Sequence, residues 1–494
     1  MTTSQVNRQL GPALPMRRAG LNQPAMRLLT LLLTFCLLFT ASPCGATSGL
    51  RAADSPSAKT YEFINGQWFN GKGFRRITFY SVNGVLTEKA PREIDEVVDL
   101  QNGFVVPPFG EAHNHNIERD YNLKQQTQTY LKDGIFYVKI PNSLRSLSLQ
   151  IKGKVNLPQT IDVAFSGGGI TASDGHPVKL YKEVLIHNAY RGMSKEWFDD
   201  KAFFIVNNEA DLEKKWPLIM ASQPDFIKTY LLYSEEFEKR RDEAVYYGRK
   251  GLDPKLLPVI VARAHGEKLR VTTHVETAAD FHHAVAAGVD EINHLPGYNI
   301  PASQPLSRYQ ISEQDARLAA RKGIFVVTTT VLTKFREKDP ARLKLTQDNQ
   351  IRNLRLLNKH GVRLAVGSDN YSVTSLAEAM NLYELKVFDN LTLLKIWCET
   401  TPQTIFPQRK LGLLKKGYEA NFLVLSGNPL ENFENVMAIT KRFKQGYPIT
   451  LEDAVSGANG VSSRGDRVAG IAFGIMLSPS DSWTSRLSTS GTTN

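Results

Sequence analysis

The sequence predicts an α/β fold, in the form of a (β/α)8 TIM barrel with a small β-sandwich built from the two segments that flank the barrel. After Pro107-Pro108, short apolar runs alternate with amphipathic helical stretches, and eight such runs can be counted. Alternation of this kind predicts a parallel sheet, and eight units favour a barrel over an open doubly wound sheet. The flanking segments have shorter apolar runs and more turn residues, which is typical of β-strands.

Residues 1–46 have the features of a signal peptide. Arg27 precedes the uncharged apolar run Leu28–Thr40, and small residues follow that run. The run is shorter than the about 20 residues of a membrane-spanning helix, and basic, apolar and small residues in this order are typical of an export signal. We therefore expect a periplasmic or secreted protein. Cys44 is a candidate site for a lipid anchor, although Pro43 fits that pattern poorly.

The net charge of +11 does not predict an acidic partner. The first 59 residues hold six basic side chains and one acidic side chain, and the rest of the charge is spread along the chain. No run of lysine and arginine with interleaved aromatic residues is present, so we do not expect nucleic-acid binding. The three cysteines include no CxxC pair, and only Cys398 lies in the predicted mature chain, so no disulfide framework is expected.

The flanks of the barrel are residues 60–107 and 403–447, which we predict to form the two parts of the β-sandwich. In the N-terminal part, apolar runs are separated by Asn65-Gly66, Gly71–Gly73 and Asn83-Gly84. Asn-Gly between apolar runs is a hairpin signal, so a small antiparallel sheet is expected. Since chain ends usually lie near each other, residues 403–447 are expected to pair with that sheet.

Residues 108–402 form the predicted barrel. Helical stretches at 254–268 and 349–360 separate several of the apolar runs, and a glycine precedes the next strand at Gly134, Gly288 and Gly323. The eight runs lie at residues 111–115, 136–140, 161–165, 225–232, 270–275, 291–295, 324–330 and 363–369.

The C-terminal segment, residues 448–494, is predicted to be a disordered tail. Much of it is rich in serine, glycine and threonine, without hydrophobic periodicity. The triplet Arg464-Gly465-Asp466 resembles an adhesion tripeptide, but chance explains three residues, so no adhesion role is expected.

Four histidines and one aspartate fall near the carboxyl ends of the predicted strands. His113 and His115 are two residues apart, so they would share one face of a strand. His274, His294 and Asp369 each follow or end a later apolar run. Active sites of barrels are built at this end, because the βα loops converge there. Two histidines on a surface loop would explain the first pair alone, but they would not explain the whole arrangement.

Lys228 is the sixth candidate, because it lies inside the apolar run at 225–232. A lysine in a buried strand is costly unless it is paired, and a desolvated lysine has a lowered pKa. Its neutral amine can then take up CO2 to form a carbamate, which is an oxygen ligand able to bridge two cations. The alternative is an exposed lysine on an edge strand.

Together these residues resemble the amidohydrolase superfamily, in which the order is His-x-His, Lys, His, His, Asp along the barrel. The segments NGFVVPPFGEAHNH, ARAHGEKLRVTTHVETAADFHHAVAAGVDEINHLPG and GVRLAVGSDN resemble its first, fifth-to-sixth and eighth strand regions. The branch that the chain is most similar to is the imidazolonepropionase-like and Xaa-Pro-dipeptidase-like group, over roughly residues 60–447. Glu111 and Asn421 stand where the family often has aspartate.

This resemblance implies a hydrolase with two divalent metal ions. Zinc is the default for imidazole and carboxylate ligands, and manganese, cobalt or iron is left open. By resemblance, His113, His115 and Asp369 hold one metal, and His274 and His294 hold the other. A CO2-derived carbamate on Lys228 would bridge the two, with a hydroxide between them. Asp369 would act as general base and then acid while a C–N bond is cleaved in a small substrate, such as a dipeptide or an N-acyl amino acid.

Tyr230 and His176 are candidate substrate-binding residues. Tyr230 lies two residues after Lys228, on the same strand face, and His176 lies in a glycine-rich stretch that resembles a family loop near the site. A lactone or ester hydrolase and a ring deaminase remain alternatives on the same barrel, although Lys228 argues against the deaminase. A non-catalytic binding protein on a decayed barrel is a third reading, opposed by the presence of all six ligand positions. The sequence leaves the oligomeric state open.

Overall fold

A computed structural model describes residues 59–451 of the chain, other than Asn299 and Ala302. The predicted signal peptide at 1–46, with its candidate lipid-anchor site Cys44, lies outside the described residues. So does nearly all of the predicted tail at 448–494. None of the described helices combines the length and the apolar character that a membrane span requires.

The N-terminal and C-terminal flanks of the barrel form a single mixed sheet of eight strands. Its order is β18-β17-β16-β5-β1-β2-β3, with β4 paired to β1. The pairing of the two flanks is confirmed, since β16 is antiparallel to β5. The β-sandwich is not confirmed, because these strands lie in one sheet. The strands are β1 Tyr61–Phe69, β2 Phe74–Val82, β3 Val85–Thr87, β4 Glu96–Asp99, β5 Phe104–Val106, β16 Phe422–Leu425, β17 Ile439–Lys444 and β18 Tyr447–Pro448.

Two of the three predicted turns of this sheet are hairpins. Asn83 and Gly84 join β2 to β3 with φ of 50° and 74°, the positive values that a tight two-residue hairpin turn requires. Gly71–Gly73 separates β1 from β2. Asn65-Gly66 was wrongly assigned to a turn, because it lies inside β1 at a break in register between Phe63 and Gly66. An extra residue at a β-bulge can have the same positive φ as a turn residue, so Asn-Gly in the sequence fits either a bulge or a turn.

The central region has parallel strands and follows a TIM-barrel-like α/β plan. Each of the eight predicted runs overlaps a strand, and two further strands, β9 and β10, lie between the third and fourth runs. Over the described residues the strands form separate sheets, β6-β7-β8 and β10-β9-β11-β12-β13-β14-β15, so one closed barrel sheet is not seen. The strands are β6 Phe109–Glu111, β7 Ile135–Ile140, β8 Asp162–Phe165, β9 Gly169–Thr171, β10 Phe203–Ile205, β11 Ile227–Tyr230, β12 Val271–His274, β13 Glu291–Asn293, β14 Phe325–Val327 and β15 Arg363–Ala365.

The first and last of these strands approach each other at their carboxyl ends. The backbone amide of Ala112 donates to the carbonyl of Val366 at 2.9 Å, and the amide of Asp369 donates to the carbonyl of His113 at 2.7 Å. These bonds bring the loop after β6 against the loop after β15. The two ends of a long stretch of chain therefore meet where the predicted ligands lie.

Helices follow most strands of the central region. The predicted helix at 254–268 corresponds to α5, and the one at 349–360 lies in the second half of α9. The α6 helix begins with a capping box between Thr277 and Asp280 and ends at Gly288, whose φ of 78° allows a left-handed cap. The helices are α1 Leu123–Lys132, α2 Arg145–Ile151, α3 Glu209–Ala221, α4 Phe237–Arg240, α5 Leu257–Gly266, α6 Ala278–Ala287, α7 Glu313–Lys322, α8 Val331–Arg336, α9 Pro340–Lys359, α10 Ser375–Glu384, α11 Asn390–Lys395 and α12 Thr401–Ile405.

Candidate metal centre

All six predicted ligands line one pocket at the carboxyl ends of the parallel strands. They are joined there by Tyr230 and His176, the two predicted substrate-binding residues, and the pocket has a volume of about 160 Å³. Tyr230 and His274 are the last residues of β11 and β12, and His294 directly follows β13. The ligand positions are His113, His115, Lys228, His274, His294 and Asp369.

Three of these side chains form a tight group. The Nε2 atoms of His113 and His115 are 3.3 Å apart, and they lie 3.5 and 3.2 Å from Oδ1 of Asp369. All three ligand atoms fall within 4.8 Å of one another, the one such group of three found among the described residues. Two imidazoles and a carboxylate that converge in this way provide a donor set suited to a transition-metal cation.

His274 and His294 form a second pair beside this group. Their ring centroids are 4.5 Å apart, and Nε2 of His294 lies 3.9 Å from Oδ2 of Asp369. Asp369 therefore faces both sets of histidines with its two oxygens. The second pair has no further histidine, cysteine or carboxylate close enough to complete a group of three within the described chain.

The buried histidines are suited to donate lone pairs. Burial above all, followed by the charges of neighbouring basic groups, holds the pKa of His113, His274 and His294 well below the usual range. Neutral imidazole is the form that binds a metal. Nδ1 of His113 is buried without a hydrogen-bond partner among the described residues. These features fit a metal and leave the cluster poorly satisfied by protein groups alone.

Hydrogen bonds at the second ring nitrogen orient two of these histidines. Nδ1 of His294 lies 2.7 Å from Oγ1 of Thr329, which leaves Nε2 as its nitrogen near Asp369. Nε2 of His274 lies 3.3 Å from Oε1 of Glu276, which leaves Nδ1 available to a cation. Partners of this kind fix the tautomer and direction of a ligating imidazole.

Lys228 is buried, as its position in β11 predicts, with only 2% of its surface exposed. Its ammonium group hydrogen-bonds Oδ1 of Asn293, and Nδ2 of Asn293 donates to Glu291 at 3.0 Å. Burial lowers the pKa of Lys228 to about 7, although Asp369 and Glu291 act in the opposite direction. A substantial fraction of the side chain is therefore a neutral amine near neutral pH.

Two of the candidate ligands have unusual backbone conformations. The φ angles of His294 and Asp369 are 74° and 44°, in the left-handed region that residues with a Cβ seldom adopt. Each such residue costs about 1–3 kcal/mol, and strain of this size is concentrated at functional sites. Both residues follow a strand directly or closely, so the turn of the backbone places their side chains at the pocket.

A buried network joins the loops that hold the first group of ligands. Glu111 accepts hydrogen bonds from the amide and hydroxyl of Ser368, at 2.8 and 2.7 Å. Asn114 donates to the hydroxyl of Ser368 at 2.7 Å and to the carbonyl of Asn370 at 3.0 Å. Burial raises the pKa of Glu111 to about 8, against the effect of these hydrogen bonds. Glutamate at position 111 thus supports the site by cross-linking the loops.

The two predicted substrate-binding residues lie on one wall of the pocket. The ring of His176 is 5.1 Å from that of His274 and 5.3 Å from that of Tyr230, between centroids. Burial is the main reason that the pKa of His176 lies well below its usual range, so its ring is neutral. The wall therefore offers a phenol and a neutral imidazole beside the candidate ligands.

Sequence reasoning missed other pocket residues, of which Tyr298 and Arg336 matter most. Tyr298 donates to Oε1 of Glu276 at 2.7 Å, and its ring is stacked on that of His294 with centroids 4.8 Å apart. Tyr298 follows the His294 motif by four residues, so its place near the site could have been proposed. Arg336 is the last residue of α8, and nothing in the local pattern marks it.

The comparisons with known proteins agree with this arrangement. The amidohydrolase family model matches residues 225–448, which contain Lys228, His274, His294 and Asp369. The ochratoxinase of Aspergillus niger is 28% identical over 207 residues, covering 39% of this chain. That match spans only 40% of the ochratoxinase, well under half of its length.

Solved structures show the same fold at low sequence identity. The crystal structure of the Aspergillus niger ochratoxinase superposes with a TM-score of 0.61 at 19% identity, covering 79% of this chain and 96% of that one. The crystal structure of a Xaa-Pro dipeptidase with methionine bound in its active site gives a TM-score of 0.59 at 16% identity, covering 79% of this chain and 99% of that one. Molinate hydrolase gives 0.61 at 14% identity, covering 80% and 95%.

The fold and the site define a TIM-barrel-like α/β protein with a candidate metal centre at the carboxyl ends of its strands. The family model matches residues 225–448, a little under half of the chain, and this part of the chain is similar to the amidohydrolase family. The resemblance found in the sequence is therefore confirmed. His113 and His115 precede the matched segment, and the structure brings them to the same pocket.

Proposed function

We propose that the protein is a metal-dependent hydrolase that cleaves the C–N bond of an amide or peptide in a small substrate, such as a dipeptide or an N-acyl amino acid. The observation that supports this most is the position of Asp369. One of its oxygens faces His113 and His115, and the other lies 3.9 Å from Nε2 of His294. One carboxylate thus connects two sets of imidazoles.

The residues present fit two divalent metal ions, zinc by preference, with manganese, cobalt or iron as alternatives. His113, His115 and Asp369 would hold one ion, and His274 and His294 the other. The carbamate of Lys228 would supply the ligand that the second pair lacks. When bound, such a pair of metals polarises a carbonyl and makes a bound water acidic near neutral pH.

The low pKa of Lys228 supports its carbamylation. The neutral amine attacks the carbon of CO2, a new N–C bond forms, and one amine proton leaves to solvent. The carbamate would replace a neutral amine by anionic oxygen ligands in a pocket that is lined by five imidazoles. The hydrogen bond from Lys228 to Asn293 holds the amine in the wall of the pocket that the histidines also line.

Asp369 is suited to move a proton during hydrolysis. Burial acts to raise the pKa of its carboxyl, but the hydrogen bond and charge of His115 outweigh this and keep the pKa below its ordinary value. The carboxylate is therefore ionised near neutral pH and can accept a proton from the attacking water. It can then donate that proton to the leaving nitrogen, as general base and general acid in turn.

The pocket walls favour a small substrate. The volume of about 160 Å³ suits a molecule the size of one or two amino acids, and the lining combines phenols, neutral imidazoles and short apolar side chains. Tyr230 and His176 are placed to contact such a substrate next to the candidate ligands. Export to the periplasm or the medium remains part of the proposal, on the sequence of residues 1–46 alone.

Metal content of the purified protein tests this proposal. We expect about two equivalents per chain in the wild type and at most one in Lys228→Ala. Lys344→Ala is the matched control, because Lys344 is an exposed lysine paired with Asp348 on α9 and should leave the metal content unchanged. One equivalent that does not depend on Lys228 would refute the two-metal site and favour a deaminase. No bound metal would favour a binding protein.

Activity is measured on the same preparations. The zinc-loaded wild type should release amino acids from a panel of dipeptides and N-acyl amino acids, and Asp369→Asn should lower kcat by at least about 100-fold because it removes the proton carrier. Cleavage of esters and lactones but of no amide would shift the assignment to an esterase on the same site.

A further inference from the structure

A row of buried hydrogen bonds lies behind the wall of the pocket and joins three strands. Lys139 on β7 donates to Glu291 on β13 at 2.8 Å, and Nδ2 of Asn293, on the same strand as Glu291, donates to it at 3.0 Å. Lys228 on β11 in turn donates to Oδ1 of Asn293. All four side chains are buried. Lys228 lines the pocket and Asn293 does not, so Asn293 contacts the amine from behind the pocket wall.

The amide group of Asn293 is held in one orientation by its two neighbours. Burial opposes ionisation of Glu291, but the charges of Lys139 and Arg270 and the hydrogen bonds that Glu291 accepts keep its pKa below the ordinary value. An ionised carboxylate only accepts hydrogen bonds, so it requires the NH2 group of Asn293. The opposite orientation would place this NH2 group against the amine of Lys228 and the amide oxygen against the carboxylate. The oxygen of Asn293 is therefore fixed toward Lys228.

Carbamylation changes what Lys228 can offer to this oxygen. The amine nitrogen attacks the carbon of CO2, an N–C bond forms, one C–O electron pair moves to oxygen, and one proton leaves to solvent. A single N–H remains, and it lies in the plane of the carbamate. When Oδ1 of Asn293 accepts this N–H, the new carboxylate points away from Asn293, whose oxygen would repel it. The free amine, by contrast, can turn its N–H bonds toward other acceptors.

We propose that Asn293 is a positioning residue for Lys228. Its oxygen accepts the single N–H that carbamylation leaves, and it thereby directs the new carboxylate away from the interior and into the pocket that His274 and His294 line. This inference rests on the carbamylation of Lys228 in the proposed function. Asn293 acts only through Lys228, and it stabilises the carbamate more than the free amine.

Titration with ¹³C-labelled bicarbonate tests the role of Asn293. The carbamate resonance that is absent from Lys228→Ala is followed at pH 8, in metal-free and in zinc-loaded protein. Asn293→Leu has a similar volume and no acceptor, so its half-saturating bicarbonate concentration should be about 10-fold or more above that of the wild type. A buried N–H that loses its hydrogen-bond partner has an effect of about this size.

Two further variants separate positioning from structural damage. Asn293→Asp keeps an oxygen beside Lys228 but adds a negative charge, which favours the ammonium form and repels a carbamate. It should also raise the half-saturating concentration by about 10-fold or more, and it carries the comparison if Asn293→Leu does not fold. Asn353→Leu is the matched control, because Asn353 on α9 is equally buried, donates to the carbonyl of Tyr309 at 2.9 Å and lies outside the pocket lining. Urea unfolding shows that each variant is folded, and Asn353→Leu should leave the titration unchanged.

Hydrolysis assays on the same preparations distinguish a failure of this inference from a failure of the proposed function. A wild type that hydrolyses amides but forms no carbamate would overturn the inference and leave the amide hydrolase in place. So would a half-saturating concentration in Asn293→Leu or Asn293→Asp that equals the wild-type value, or an equal rise in Asn353→Leu. A wild type that forms the carbamate but hydrolyses no amide would refute the proposed function, and a 10-fold rise in Asn293→Leu alone would still support the role of Asn293.

Discussion

Replacement of Glu291 by glutamine should strongly destabilise the protein, because Glu291 is the buried counter-ion of Lys139. The two side chains are 1% and 2% exposed, and Nζ of Lys139 donates to Oε2 of Glu291 at 2.8 Å. Glu291 also accepts hydrogen bonds from Thr272 at 2.7 Å and from Asn293 at 3.0 Å. Glu291→Gln leaves an ammonium ion buried without its carboxylate and replaces one acceptor oxygen by a donor.

Removal of one member of a buried ion pair costs about 3–5 kcal/mol, so we expect a loss of that size in the free energy of unfolding. The double variant Lys139→Met, Glu291→Gln should recover part of it, because the unpaired charge is gone. Urea unfolding measures the free energy of unfolding of the single and the double variant, and the m-value should be the same for both. Lys154→Met is the control, since it breaks the exposed pair with Asp120 and should cost about 0–1 kcal/mol.

The effect should also depend on pH. Burial opposes ionisation of Glu291, but the ammonium group of Lys139, the charge of Arg270 and the hydrogen bond from Thr404 together lower the pKa of this carboxyl below its ordinary value. A carboxyl group whose pKa is lower in the folded protein than in the unfolded protein stabilises the fold at pH values above its pKa in the unfolded protein. This stabilisation is lost as the pH falls through its pKa in the folded protein. The cost of Glu291→Gln should therefore shrink at acid pH. A loss of less than about 1 kcal/mol in the free energy of unfolding of Glu291→Gln at pH 7 would refute the reasoning. So would a loss in the double variant that equals the sum of the losses in Lys139→Met and Glu291→Gln, because the two side chains would then not be coupled.

Three other predictions concern the site. Thr329→Val removes the hydrogen-bond partner of Nδ1 in His294 and should weaken metal affinity by about 10- to 100-fold. Competition with a chromophoric chelator measures the affinity, and the unfolding temperature of the apo protein is the control for structural damage. The pKa of Lys228 is about 7, so its amine is mostly neutral at pH 8 and mostly protonated at pH 6. In the apo protein supplied with labelled bicarbonate, the ¹³C resonance of the carbamate should therefore be strong at pH 8 and weak at pH 6. A signal that does not depend on pH, or one that is retained in Lys228→Ala, would contradict this prediction. Tyr298→Phe removes the hydrogen bond from Tyr298 to Glu276 and should lower kcat/KM by about 3- to 10-fold with little change in metal content. An unchanged kcat/KM would show that this hydrogen bond is not needed for activity.

The sequence allowed the candidate ligands to be found because their positions follow from strand ends. His274 ends β12 and His294 directly follows β13, so the alternation of apolar runs and helical stretches predicted that both lie at the carboxyl edge of a parallel sheet. Lys228 stood out as a charge inside an apolar run. The burial of its side chain follows from that run, since a strand covered on both faces leaves no route to solvent.

Features that depend on loops could not be predicted. Arg336 reaches the pocket because α8 ends beside it, and no local pattern encodes the distance between a helix end and a strand end. The bulge at Asn65-Gly66 uses the residues of a turn, so only the partner strand distinguishes the two. The β-sandwich is not confirmed for a similar reason: alternation in the flanks predicts strands but does not specify whether β5 and β16 lie in one sheet or in two.

The pairing of β5 with β16 has a consequence for synthesis of the chain. β5 is made early, but its neighbour on one side is drawn from residues 422–425, roughly 300 residues later. At about 5–20 residues per second, the ribosome needs about 15–60 s to supply that neighbour. During this interval the nascent polypeptide carries an open strand edge, a template for aggregation. A shortened gene that stops after the barrel would make this vulnerability permanent, so expression trials should retain the chain through Pro448.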